Sequence, residues 1–147
     1  MTYHTTWIAA ALFTAIISLS AATPLPSSKQ VITFTGLNKK EGKLYIGWYA
    51  NAEGFREPGK AVIENVVSVK GVDSQPVVFS NVRAGTYAIA VFFDQNGNGK
   101  MDLNVLGIPK EKYGFSNNVF PLTRAATFKE AAFKVTDEDG TLSIRLK

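Results

Sequence analysis

The chain has 147 residues, 46% of them apolar, 19% charged and none cysteine, with a formal charge of +4. This size and apolar content set a single globular domain and exclude a disordered polymer. The 16 Lys and Arg are scattered, with only Lys39 and Lys40 adjacent, which argues against the concentrated basic surface of a nucleic-acid binder; the missing cysteine rules out disulfides, thiolate catalysis, Cys-ligated metals and a lipid-anchored leader.

In chain order, residues 1–28 contain no Asp, Glu, Lys or Arg, and Trp7–Leu19 is almost wholly apolar. Ser20-Ala21-Ala22 then supplies small residues, and Pro24 and Pro26 break any helix. This is the order of a secretory signal, read here as residues 1–22 with cleavage after Ala22. The apolar stretch is short of the roughly 20 residues that a spanning helix needs, so no membrane association is expected after cleavage. The expected location is the periplasm or the extracellular space. Residues 23–30 read as a flexible tail and 31–147 as the folded domain.

Strand signals fill that domain. Val31–Leu37 is β-branched and ends in a turn. Lys43–Ala50 alternates, with Leu44, Ile46, Trp48 and Ala50 on one face and Tyr45, Gly47 and Tyr49 on the other. Ala61–Val72, Pro76–Val82 and Thr86–Phe93 follow, the last apolar on both faces as in a central, covered strand. Phe128–Val135 starts like a helical turn and ends like a strand. Thr141–Lys147 alternates and, after the Asp137–Gly140 turn, reads as the second arm of a hairpin. About seven short strands with one long loop predict an all-β fold. The expected form is a single antiparallel β-sandwich, Greek-key and prealbumin-like.

The single histidine, His4, lies in the expected signal. A cleaved chain then has neither His nor Cys. Ser-His-Asp triads, Cys-His dyads and His-ligated metals drop out, and acid–base work would fall to carboxylates, Lys or Tyr. A non-catalytic module is expected.

The segment Asp94–Asn118, DQNGNGKMDLNVLGIPKEKYGFSNN, has neither strand nor helix period. Its first part, D-x-N-x-N-G-x-x-D, matches positions 1 to 9 of a calcium loop: Asp94, Asn96, Asn98, the Lys100 carbonyl and Asp102, with Gly99 at the sharp turn. Hard oxygen donors at this spacing suit Ca²⁺. Position 12 holds Val105 instead of Glu, and no helix follows, so this is not an EF-hand. Glu111 or Asp73 would have to complete the set. In the second part, Tyr113, Phe115, Asn117 and Asn118 offer either a ligand surface or a clasp that pins the loop to the sandwich.

The run G-T-Y-A-I-A-V, then D-x-N-G-N-G-K-x-D-x-N, then G-I-P-K-E-x-Y-G-F-S-N-N resembles the bacterial secreted family known as domain of unknown function 2141. The resemblance extends in outline over Val31–Leu146 and is specific over Gly85–Asn118. It implies an exported single-domain β-sandwich and brings no reaction or ligand. Two positions depart from the family pattern: Phe93 where His is frequent, and Gln95 where Glu is frequent. More loosely, Phe79–Tyr87 is similar to the strand–turn–strand of transthyretin-like and collagen-adhesin B-type modules, an analogy at the level of fold alone.

Three functions follow for comparison. The first is an exported binding or structural module with a Ca²⁺-ordered loop at 94–102, its partner a glycan or protein of the cell envelope or medium. The second is a carbohydrate-binding module that stacks sugars on Tyr45, Tyr49, Trp48 or Tyr113. The third is a glycoside hydrolase pairing Asp94 or Asp102 with Glu111.

Overall fold

The computed structural model describes residues 26–147. The expected signal at 1–22 and residues 23–25 of the expected tail lie outside the described residues. Eight strands build two packed sheets. In chain order they are β1 (Ser27–Thr35), β2 (Glu41–Tyr49), β3 (Ile63–Lys70), β4 (Ser74–Arg83), β5 (Gly85–Asp94), β6 (Lys112–Phe115), β7 (Phe133–Val135) and β8 (Gly140–Arg145). One helical turn, α1 (Phe128–Ala131), precedes β7. The three-stranded sheet has the order β4-β1-β8; the five-stranded sheet runs β3-β2-β5-β6, with β7 also on β5. The expected β-sandwich is therefore the observed architecture.

Period-2 patterning decides which side chains meet between the sheets. Ile32 and Phe34, Leu44, Ile46 and Trp48, Ile89, Val91 and Phe93, and Ile144 and Leu146 all point inward and form one cluster. Trp48 sits at its centre, fully buried, with ring centroids 5.1 Å from Phe79, 5.7 Å from Tyr87 and 5.4 Å from Phe133. Each such side chain contributes about 1.5–3 kcal/mol through the apolar area it removes from water.

Three details depart from the sequence reading. First, β1 starts at Ser27, so residues 27–30 are strand instead of flexible tail. The inward positions there hold Ser28 and Gln30, whose polarity hid the alternation. Both are buried and satisfied: the Ser28 hydroxyl donates to the Thr136 carbonyl at 3.0 Å, and the Gln30 amide donates to Ser28 Oγ at 2.8 Å and the Glu138 carbonyl at 3.2 Å.

Second, the last two strands do not form a hairpin. β7 pairs antiparallel with β5, whereas β8 pairs with β1, and in parallel. Residues 136–139 thus arch from one sheet to the other. Local turn residues resemble those of a hairpin, and only long-range pairing separates the two. Third, the expected long loop contains β6, a four-residue strand too short for a periodic signal. The ambiguous Phe128–Val135 segment does divide as its sequence reads, into α1 and β7. Among the described residues no helix is long and apolar enough to cross a membrane.

Candidate binding groove and the Asp94–Asn118 segment

β5 ends in Asp94, which is completely enclosed. Its Oδ1 accepts the Gly97 N–H at 2.6 Å and its Oδ2 the Gly99 N–H at 2.9 Å. Both glycines have positive φ, +80° and +74°, which a side chain would oppose. Asn96 Oδ1 accepts the Asn98 N–H at 3.0 Å, and Asn98 Oδ1 the Lys100 N–H at 2.8 Å. The two Asn amides also donate to Asp102, at 2.5 and 2.9 Å. The loop is therefore closed by its own hydrogen bonds, every Asx side chain serving a nearby backbone or side-chain donor.

Of the two carboxylates considered for completing this set, the fold brings in Glu111. It accepts from the backbone N–H groups of Gln95 and Asp102 at 3.4 and 3.3 Å. Burial pushes its carboxyl above the usual value, opposed by those two N–H groups and reinforced by Asp94 and Asp102. Asp73 instead belongs to the β3–β4 connection, where its carbonyl accepts the Leu37 N–H. Among the described residues, no group of three or more acidic, His or Cys side chains is arranged to hold an ion.

Beyond Asp102 the chain makes a small projecting loop that the sequence reading missed. Leu103 bridges to Pro109, and the Asn104 N–H donates to the Ile108 carbonyl at 2.8 Å. Asn104 Oδ1 accepts the N–H groups of both Leu106 and Ile108 at 2.9 Å, which fixes the tip. The available signal was Asn104 three residues before Gly107, whose φ is +75°. At the tip Val105 and Leu106 stand almost fully in solvent.

The Tyr113–Asn118 part acts mainly as a clasp. Phe115 is buried with Phe55, Ala88, Ala126 and Ala131 in a second cluster, on the outer face of the five-stranded sheet. Phe55 packs against its ring and against Phe128 of α1, leaving Phe115 only 5% exposed. Ser116 is also fully buried; its hydroxyl accepts the Ile89 N–H at 2.9 Å and donates to the Ala131 carbonyl at 2.5 Å. Asn117 and Asn118 adopt positive φ, +62° and +54°. The Asn117 amide donates to the carbonyls of Glu130 and Ala132. The Asn118 side chain donates to the Ser143 carbonyl and accepts the Arg145 N–H, as a neighbouring strand would. Tyr113 N–H and C=O pair with Lys147 across the same edge.

Tyr113 and, at its edge, Phe115 also line a groove. The outer face of the five-stranded sheet is open over Tyr45, Gly47, Tyr49, Ala90 and Phe92, and the concavity above it has a volume of about 1060 Å³. The small residues Gly47 and Ala90 keep its floor low between taller aromatics. Tyr45 and Phe92 stack across β2 and β5, 4.9 Å apart and 6° from parallel. Burial and Glu64 push the Tyr49 phenol upward, with Arg56 opposing. One wall is the Gly99–Pro109 loop and another is Pro121–Ala125. The walls carry Leu103, Leu106, Ile108 and Leu122, exposed by 53%, 78%, 54% and 102%. Four exposed aliphatic side chains thus surround one aromatic floor. Trp48, considered above for sugar stacking, points to the opposite, core face.

The model of a bacterial family of uncharacterized conserved proteins, DUF2141, matches residues 32–143. No curated protein and no solved structure matches the chain. The matched range runs from β1 into β8 and contains both the Asp94 loop and the Ser116–Asn118 clasp, so the chain belongs to the DUF2141 family.

Proposed function

We propose that this chain is an exported, non-catalytic binding module that holds an apolar segment of a protein partner in the groove over Tyr45 and Phe92. The observation that carries this reading is the ring of exposed aliphatic side chains, Leu103, Leu106, Ile108 and Leu122, around an aromatic floor. Aromatic faces alone would suit a sugar. Aliphatic side chains offer a sugar no hydrogen bond, but they suit the apolar side chains of a peptide, as at the centres of protein interfaces. A non-catalytic role is supported by Asp94, whose carboxylate is enclosed and committed to Gly97 and Gly99. Export rests on the apolar, charge-free leader with its small-residue cleavage site.

The test is a pair of screens on the folded protein, a displayed random-peptide library and a glycan array. Peptides rich in aromatic and aliphatic residues should be recovered, and binding should be lost in Tyr45→Ala and Leu106→Asp but kept in Thr141→Ala, on the far sheet. A blank peptide screen with glycan hits lost in Tyr45→Ala would transfer the groove to a carbohydrate. Silence in both would sink the binding reading.

The proposal includes Ca²⁺ as a second means of ordering the groove wall. Support for the ion comes from the D-x-N-x-N-G-x-x-D spacing. To admit it, Asp102 would release the Asn96 and Asn98 amides that it now accepts. With so few carboxylates the affinity would fall in the ~10⁻⁴–10⁻³ M range of extracellular modules. Calorimetric titration with calcium chloride should give heat that Asp102→Asn removes; no heat and no thermal shift at millimolar calcium would delete the ion.

A further inference from the structure

The two Asn–Gly pairs of the chain, Asn96-Gly97 and Asn98-Gly99, both lie in the Asp94 loop, at exposed positions. Asn–Gly is the dipeptide most open to spontaneous deamidation, because glycine has no side chain to hinder its nitrogen. The glycine backbone nitrogen loses its proton and attacks Cγ of the preceding Asn. A new C–N bond closes a succinimide ring, and the side-chain nitrogen leaves as ammonia. Water then opens the ring at either carbonyl, leaving aspartate or isoaspartate.

Every group in that step is restrained here. The two attacking nitrogens are the N–H groups that Asp94 holds, Gly97 at 2.6 Å and Gly99 at 2.9 Å. A carboxylate accepting an N–H opposes loss of its proton, and this one is shut away from water. The attacked amides are pinned as well: their oxygens accept the N–H groups of Asn98 and Lys100, and their nitrogens donate to Asp102. We infer that this loop is a latent deamidation site, with Asp94 guarding both Asn–Gly pairs against succinimide closure. Opening the guard has a structural consequence. Aspartate at 96 or 98 turns an amide that donates to Asp102 into a carboxylate that repels it. Isoaspartate adds a backbone atom and breaks the Asx turn. Either product loosens the wall that contributes Gly99, Lys100 and Met101 to the groove.

The experiment follows intact mass and peptide maps of the full chain during incubation at mildly alkaline pH. It compares native protein, the same protein in urea, and the Asp94→Ala and Val135→Ala variants. Val135 is a buried β7 residue far from the loop in sequence and controls for general destabilisation. The need to break a charge-assisted N–H bond first should slow the native chain on the order of tenfold or more relative to the urea sample. Folded Asp94→Ala should react several-fold faster than the native chain, with the product at Asn96 and Asn98, while Val135→Ala stays slow. If Asp94→Ala does not fold, Asp94→Asn replaces it. The two glycine N–H groups are held by different Asp94 oxygens, and Asn at 94 puts an NH₂ in place of one of them, so one of the two asparagines should react and the other persist. A native chain as fast as the urea sample, or Asp94 variants as slow as the native chain, would overturn the inference.

Discussion

Three adjacent polar side chains, Ser116, Asn117 and Asn118, close gaps in backbone pairing that no strand reaches. The outer edge of β5 is shared: β7 pairs with Gly85–Tyr87 and β6 with Ala90–Phe93. Between those partners the Ile89 N–H would be unpaired, and Ser116 Oγ takes it. Burial sets the value of each contact. Ser116→Ala leaves Ile89 N–H buried without an acceptor and should cost about 1–3 kcal/mol in urea unfolding. Asn118 serves Ser143 and Arg145 at an exposed edge where water can substitute, so Asn118→Ala should cost less, about 0.5–1.5 kcal/mol. Equal losses for the two would contradict this division. In the sequence these residues could be read as ligand surface or as clasp. The difference lies in backbone groups distant along the chain, which no local pattern displays.

At the scale of elements, α1 is a single turn that depends on its cap. Thr127 and Glu130 form a capping box, and Arg124 binds both Glu130 oxygens at 2.8 Å. Arg124, with help from the Thr127 N–H and hydroxyl, holds the Glu130 carboxyl far below the usual range. A carboxyl depressed on folding contributes stability above its unfolded value, about 4.3, and loses it as pH falls from there toward the folded value. Glu130→Gln should therefore lower the melting temperature modestly at neutrality and flatten the acid side of its profile below about pH 4, so that variant and parent converge in acid. An unchanged acid limb would show that the ion pair is screened out. The Thr-x-x-Glu signature was present in the sequence, but a four-residue helix has no period to draw attention to it. The Gly99–Pro109 wall is similar in kind. Asn104 and Gly107 fix its tip, and its side chains face solvent. Leu106→Asp and Leu122→Asp should thus leave thermal stability within about 0.5 kcal/mol of the parent while abolishing peptide capture. A large stability loss would mean that these leucines serve packing.

At the scale of the molecule, two-faced alternation carried most of the architecture. The inward set Leu44, Ile46 and Trp48 and the doubly covered β5 were legible because each strand obeys its own period. Trp48→Ala, which empties the centre of the core, should cost about 3–5 kcal/mol. What alternation could not reveal is which sheet each strand joins. The β7–β8 arch and the parallel β1–β8 pair depend on long-range contacts that resemble a hairpin locally. The groove was half legible. Tyr45 and Tyr49 stood out as the face opposite Trp48, but the aliphatic rim comes from segments separated along the chain and converges only in the fold. The Asp94 loop was legible as an oxygen-rich spacing; its closure by Asp94 and Asp102 was not, because spacing does not say where hydrogen bonds point.

The central claim is that the outer face of the five-stranded sheet is where a partner binds. The most direct test is a titration of the isotope-labelled full chain with a peptide recovered from the library, followed through its backbone amide resonances. Binding in the groove predicts shifts centred on the segments that contribute its lining, Tyr45–Tyr49, Glu64–Val66, Ala90–Phe92, Gly99–Pro109, Tyr113 and Pro121–Ala125. Shifts centred instead on β1 and β4, on the opposite sheet, would contradict the account.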